Sequence, residues 1–168
     1  RTQAQALNRG FLSRIQRARP FVTLKLAASL DGKTALADGQ SQWITGAAAR
    51  ADVHRQRAAS NAIITGSGTV LADNPQLNVR GVICLQPPVR VVLDRSLRSP
   101  VDAQIFDTSV APTWLFTAAD QDTSAYAARG VRCFVWEQPH TESSLQFILH
   151  TLAQEGINEA CVEAGATF

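Results

Sequence analysis

The chain predicts an α/β domain, a mostly parallel sheet with helices on both faces. Three observations carry this. From Phe21 onward, apolar strand-like runs alternate with helical stretches. Two of these runs open onto glycine turns, at Asp31-Gly32 and at Gly66-Ser67-Gly68-Thr69. The composition, 45% hydrophobic and 18% charged over 168 residues, suits one globular domain with one core.

The elements follow in order. Residues 4–17 carry Leu7, Phe11, Leu12 and Ile15 at helical spacing, and Arg19-Pro20 ends that helix because the residue before proline avoids the helical region. This opening reads as a linker or the tail of something upstream, not as core. Residues 21–28 are a strand. Thr45 can cap a helix over 46–60. A strand over 61–65 and a short helix over 69–73 follow. Strands are expected at 88–94 and 113–117. A helix at 123–129 ends on Gly130, read as a left-handed cap. Residues 131–136 are a strand, and a helix over 143–155 is closed by Gly156, with Leu145, Ile148, Leu149 and Leu152 on its apolar face. The last strand is 157–163. Residues 163–168 look like a strand passing into the first turn of a helix, so the sequence is expected to be cut at that junction, with further elements in a parent protein.

Charge and motifs narrow the function. A net charge of +2, with no basic run and no aromatics alternating with arginines, gives no support for nucleic acid. The positive charge is local, at Arg50, Arg55, Arg57 and Arg80, which suits a small anionic ligand. Cys84, Cys133 and Cys161 form no Cys-x-x-Cys pair, so reduced thiols in a cytosolic protein are expected rather than zinc or a disulfide framework. No apolar stretch is long enough to span a bilayer. His54, His140 and His150 lack metal-ligand spacing, and neither a zinc-deaminase signature nor a Gly-x-Ser-x-Gly elbow occurs.

Several residues can carry chemistry, each with a plainer alternative. Lys25 is either a solvated lysine on a strand edge or a cation that polarises a carbonyl or imine at a strand end. Asp31 either fixes its own turn or serves a ligand. Trp43 is core, a lid over a ring, or both. Arg50, His54 and Arg57 lie along one helical stripe. That stripe is either a solvated cationic face or, with Arg80 and the Ser41 hydroxyl, an anion clamp. The Gly66–Thr69 turn is neither a full dinucleotide fingerprint nor a Walker loop, yet its amides and hydroxyls suit a diphosphate or ribose.

LKLAASLDGKTA, SQWIT, an arginine-rich helix, GSGTVLADNPQLNVR, PVRVVLD and VEAG occur in that order between Leu24 and Gly165. This series closely resembles the reductase domain of the bifunctional riboflavin-biosynthesis family RibD. The resemblance implies residues 19–168 as the reductase domain, incomplete at its C-terminus, and 1–18 as a linker or the last helix of an upstream deaminase domain. It implies a dihydrofolate-reductase-like fold. It also implies NADPH-dependent reduction of 5-amino-6-(5-phosphoribosylamino)uracil to the ribitylamino compound, in a cytoplasmic homodimer. Zinc would belong only to the absent deaminase domain.

The resemblance also implies roles at matching positions. Ala27, Trp43, Thr69 and Asp73 would line the NADPH site, with Gly165, Ala166 and Thr167 around its phosphates. Ser41, Arg57, Leu77, Arg80 and Glu163 would contact the substrate. Lys25 and Glu163 are the catalytic candidates, for proton transfer beside the ribose carbon that takes the hydride. The sequence departs from the family at Arg95, where a small hydroxyl residue is usual. That arginine either pairs with the cofactor's 2′-phosphate or is a solvated surface cation. A second departure is the short connection from Arg80 to Pro88. Rival readings are a relative acting on another ribosylated or pterin-like substrate, and a non-catalytic cofactor-binding or dimer-forming module.

Overall fold

A computed structural model describes residues 2–37, 41, 43–136 and 141–165. Six strands form one sheet: β1 (Phe21–Leu24), β2 (Ala62–Gly66), β3 (Val89–Leu93), β4 (Thr113–Ala118), β5 (Arg132–Trp136) and β6 (Glu159–Val162). Their order is β1-β6-β2-β3-β4-β5 and every pairing is parallel. The helices are α1 (Thr2–Leu7), α2 (Arg9–Arg17), α3 (Ala47–Ala58), α4 (Ser67–Asp73), α5 (Ser124–Ala127) and α6 (Thr141–Gln154). A 3-10 turn, Gln104–Phe106, lies between β3 and β4.

The inner strands β2, β3, β4 and β6 are largely apolar on both sides because the middle of the sheet is covered on both sides. On β2, Ala62 and Ile64 join one buried cluster with Val91, Phe116, Trp136 and the α6 residues Ile148 and Leu152. Ile63 between them faces the other cluster, with Val70 of α4, Phe106 and Tyr126 of α5. Tyr126 edges onto Phe106 at 4.9 Å and donates its hydroxyl to the Ser99 carbonyl, so its polar tip is satisfied inside the core. Gly130 and Gly156 adopt positive φ, 78° and 85°, and turn the chain out of α5 and α6 as the sequence led us to expect.

Several expectations shift. The opening helix breaks in two at Asn8, whose side-chain amide donates to the Ala4 carbonyl at 2.8 Å. As expected, its apolar stripe is not core: Leu7, Phe11 and Ile15 are exposed. Nor is this opening a free tail. Arg9 bonds Glu159, Arg14 donates to the Asn158 side chain at 2.6 Å, and a Cβ on Gly10 would stand 2.5 Å from the Glu159 side chain. Only glycine lets α2 approach the start of β6 so closely.

β1 ends at Leu24 rather than residue 28. It lies at the edge of the described sheet with β6 as its neighbour, and Val22, Leu24 and Leu26 are exposed. The helix start falls at Gly46 with no side-chain cap, so Thr45 does not cap α3. On α6, Ile148 and Leu152 are buried, while Leu145 is half exposed.

The largest fully buried side chain among the described residues is charged. Arg90, fully buried in the middle of β3, donates to the carbonyls of Gln76 at 3.2 Å, Asp107 at 2.7 Å and Ala111 at 2.6 Å. Burial pushes its pKa down to about 10, opposed by nearby Asp107, so it remains a cation at neutral pH. It ties two loops to the sheet. Arg90→Met should fit the space yet strand three carbonyls, lowering unfolding free energy by about 3 kcal/mol in urea titrations; an unchanged midpoint would show that water replaces the guanidinium.

Candidate active site

In an open parallel sheet the carboxyl ends of the strands are where ligands bind. Here those ends bring together Lys25 after β1, Glu163 after β6, Gly66 and Ser67 after β2, and Asp94 after β3. Register puts them level. Leu24 pairs with Val162, Ile64 also pairs with Val162, and Gly66 pairs with Leu93. Backbone bonds continue past the strands: Lys25 N donates to Val162 O at 3.0 Å, and Glu163 N to Ile64 O at 2.9 Å.

The centre of this edge is an ion pair. Arg57 of α3 gives Nε to Glu163 Oε1 at 2.6 Å and a terminal nitrogen to Oε2 at 2.9 Å. Its other terminal nitrogen donates to the Asn78 carbonyl at 2.9 Å. The two side chains are only 12% and 8% exposed. Three of the guanidinium N–H groups are therefore used inside the protein, and Arg57 is not an open arm of an anion clamp. A carboxyl that gave up its charge here would leave a buried guanidinium uncompensated.

The Arg50-His54-Arg57 stripe resolves into three separate tasks. Arg50 lies 4.4 Å over the Trp43 ring and donates to the Thr45 carbonyl at 2.6 Å. Trp43 is 72% exposed, so it is not core. His54 Nδ1 accepts the backbone N–H of Arg80 at 3.1 Å. Arg57 holds Glu163.

The segment carrying Arg80 is pinned from several sides. Gln76 O receives Arg90, Asn78 O receives Arg57, and the Arg80 amide meets His54. Between them Leu77 adopts φ 47°, a left-handed conformation costly for a branched side chain. Its side chain is buried in the core, so it anchors the segment and offers a ligand only backbone.

Lys25, Arg57 and Glu163 share one neighbourhood. Burial and then Glu163 push the Cys161 thiol up, while Arg57 and Lys25 pull it down. Lys25 is half-buried beside this group, and Arg80 and Ser41 are exposed. Asp31 serves its own turn. Ser29 Oγ donates to it, holding its carboxyl below the ordinary range, and Ser29 Oγ also accepts the Lys33 amide at 3.1 Å.

The remaining expected cofactor residues stand near the same edge without touching the ion pair. Thr69 and Asp73 lie on α4, directly after β2. Ala27 is half-buried, three residues past β1, and Gly165 is exposed. Ala166 and Thr167 lie outside the described residues. Arg95 is exposed, and its carbonyl is held by Ala118 N at 3.2 Å and Thr117 Oγ1 at 3.1 Å. Asp94, buried, accepts the amides of Arg98 and Ser99 and shapes the loop beyond β3. Arg98 in turn donates to Ser67 Oγ at 2.9 Å.

Sequence reasoning missed Arg90, Asn78, Asp94 and the Ser67–Arg98 bond. An arginine amid PVRVVLD was the available signal for the first. Among the described residues no group of three or more His, Cys, Asp or Glu side chains could hold a metal, and no helix is long and apolar enough to cross a membrane.

This all-parallel sheet order defines an α/β domain of the dihydrofolate-reductase-like fold. A family model described as the RibD C-terminal domain matches residues 20–168. The riboflavin biosynthesis protein RibD of Bacillus amyloliquefaciens is 43% identical over 170 residues, which span 99% of this chain and 45% of that protein. Acinetobacter baumannii RibD superposes with a TM-score of 0.83 at 42% identity, covering 98% of this chain and 45% of that one. The deaminase/5-amino-6-(5-phosphoribosylamino)uracil reductase structure from Thermotoga maritima gives 0.80 at 33% identity, covering 98% and 44%. The chain belongs to the RibD C-terminal domain family, and it spans less than half the length of these relatives.

The buried pair generates a stability prediction. Glu163→Gln should cost about 3–5 kcal/mol because the guanidinium is left buried and unpaired. Arg57→Met combined with Glu163→Leu should cost clearly less than the sum of the single changes. Denaturant unfolding of all four proteins in a double-mutant cycle measures the coupling, and simple additivity would refute it.

Proposed function

We propose that this chain is the NADPH-dependent reductase that converts 5-amino-6-(5-phosphoribosylamino)uracil to its ribitylamino product, within a longer parent that also carries a zinc deaminase. The observation that carries the reading is the Arg57–Glu163 pair flanked by Lys25 and the pinned Arg80 segment, all at the carboxyl edge of the sheet. Family membership and the reductase activity for which the Thermotoga maritima relative is named support it.

The residues fit a dinucleotide. A Cβ placed on Gly68 or Gly165 would meet nothing within 4 Å, so both turns leave room for phosphate oxygens. Hydroxyls of Ser67 and Thr69 and the cations Arg95 and Arg98 stand at the ends of β2 and β3. Lys25 after β1 and Arg95 after β3 are separated by three strand spacings, about 14 Å across the edge. A dinucleotide laid along that edge reaches from one to the other. Trp43, its one face covered by Arg50, offers a flat neighbour for a ring.

Each residue then has a task. Arg80 and Ser41 hold the substrate's phosphate, with the unused N–H groups of Arg57 beside them. Glu163, oriented by Arg57, accepts hydrogen bonds from the substrate rather than passing protons. When bound, NADPH supplies the hydride to the ribose C1 of the ring-opened imine. Lys25 gives a proton to the imine nitrogen, which completes the amine. Holding the two carbons in contact is the main contribution of the fold. Arg95 reads the cofactor's 2′-phosphate.

Two measurements test this. With the phosphoribosylamino-pyrimidine present, loss of NADPH absorbance should appear with the wild-type chain and fall about 100-fold or more in Lys25→Ala, while NADPH affinity hardly changes; wild-type turnover in the variant removes Lys25 from the reaction. Arg95→Ala should lower the preference for NADPH over NADH in kcat/KM, and an unchanged ratio would make Arg95 a surface cation.

A further inference from the structure

We infer that His54 is a positioning residue for substrate binding: as a neutral imidazole protonated on Nε2, it fixes the Arg80 segment through the Arg80 backbone amide. The inference rests on Arg80 holding the substrate's phosphate, and it adds a residue that touches neither substrate nor cofactor.

The bond sets the tautomer. His54 Nδ1 faces the Arg80 N–H at 3.1 Å, and an amide can only donate. Nδ1 must therefore carry a lone pair, so the ring proton sits on Nε2. An imidazolium would put N–H against N–H and release the contact.

The surroundings favour the neutral ring. On α3 itself Arg50 lies one turn before His54 and Arg57 one turn after it. Arg80 faces it from the pinned segment, Glu163 from the end of β6, and the Asn78 carbonyl from the chain before Arg80. Burial first, then Arg57 and Arg80, pull the His54 pKa below its ordinary value, and the Asn78 carbonyl and Glu163 oppose them only in part.

The direction with pH follows. A depressed folded-state pKa contributes stability that is full above the unfolded histidine value and lost as pH falls through the folded one. The Arg80 segment is thus held at neutral pH and freed in acid. Leu77 makes the restraint matter. Its left-handed backbone is held in place by Arg90 and Arg57 on the neighbouring carbonyls, and His54 supplies the restraint nearest Arg80.

The test compares His54→Leu and His54→Asn with wild type in the full chain. Asparagine can still accept a hydrogen bond but does not titrate. His54→Leu should raise KM for the phosphorylated substrate about fivefold, the loss of one hydrogen bond, with kcat and KM for NADPH unchanged. His54→Asn should recover most of that loss. Wild-type KM should rise on acidification more steeply than in His54→Asn. The substrate phosphate titrates equally in both, so the difference belongs to the imidazole. A second readout needs no substrate. Hydrogen exchange at the Arg80 amide should be slow in wild type and His54→Asn and fast in His54→Leu. Slow exchange in all three proteins, or equal KM values with identical pH profiles, overturns the inference. Protected exchange without NADPH oxidation would instead uphold the His54 contact and refute the reductase reading.

Discussion

The buried ion pair between Arg57 and Glu163 is the constraint on which the rest of this edge depends. Its partners lie 106 residues apart, on α3 and at the exit of β6. Joining them fixes the last strand relative to the helix. The same guanidinium reaches the Asn78 carbonyl, so the segment bearing Arg80 is held by the same group. A bidentate pair of this kind is costly to bury and costly to break, which favours one geometry over its neighbours. That suits the reaction proposed above, in which two carbons must be held in register.

Around the pair, polar groups divide between scaffold and ligand. Arg90, Asp94 and His54 spend their hydrogen bonds on backbone carbonyls and amides of loops. Those loops then present Arg80, Arg95 and Arg98 outward. Cations that would look alike on a charge map thus have different partners. Arg50 stacks on an exposed tryptophan, Arg57 is locked to a carboxylate, and Arg80 is displayed on a loop that other residues hold still.

Much of the architecture was legible in the sequence because buried parallel strands are written as apolar runs. AIIT, VRVVL, TWLF and EACV each announce themselves, and Gly130 and Gly156 mark helix ends by the backbone they require. The alternation of strand and helix was enough for a parallel sheet. The errors have local causes. β1 is shorter than its apolar run because an edge strand has one partner to define it. Asn8 stands at the break in the first helix, its side-chain amide donating to the Ala4 carbonyl one turn before. At the site, Lys25, Arg57 and Arg80 stand out from the residue pattern and Glu163 only from the family resemblance, but none of their partners can be read there. An arginine stripe says nothing about which guanidinium meets a carboxylate distant in the chain. The restraint of Arg80 by His54 needs a third dimension to be seen.

The strand order has a consequence for how the molecule is made. β6, the last of the described strands, lies between β1, the first of them, and β2. As the polypeptide leaves the ribosome, β2 to β5 can assemble beside one another while the backbone of β1 waits for the strand it pairs with. Between the synthesis of β1 and that of β6 the nascent chain carries a sheet whose place between β1 and β2 is still empty. That interval, rather than the finished fold, is where a chaperone has most to protect.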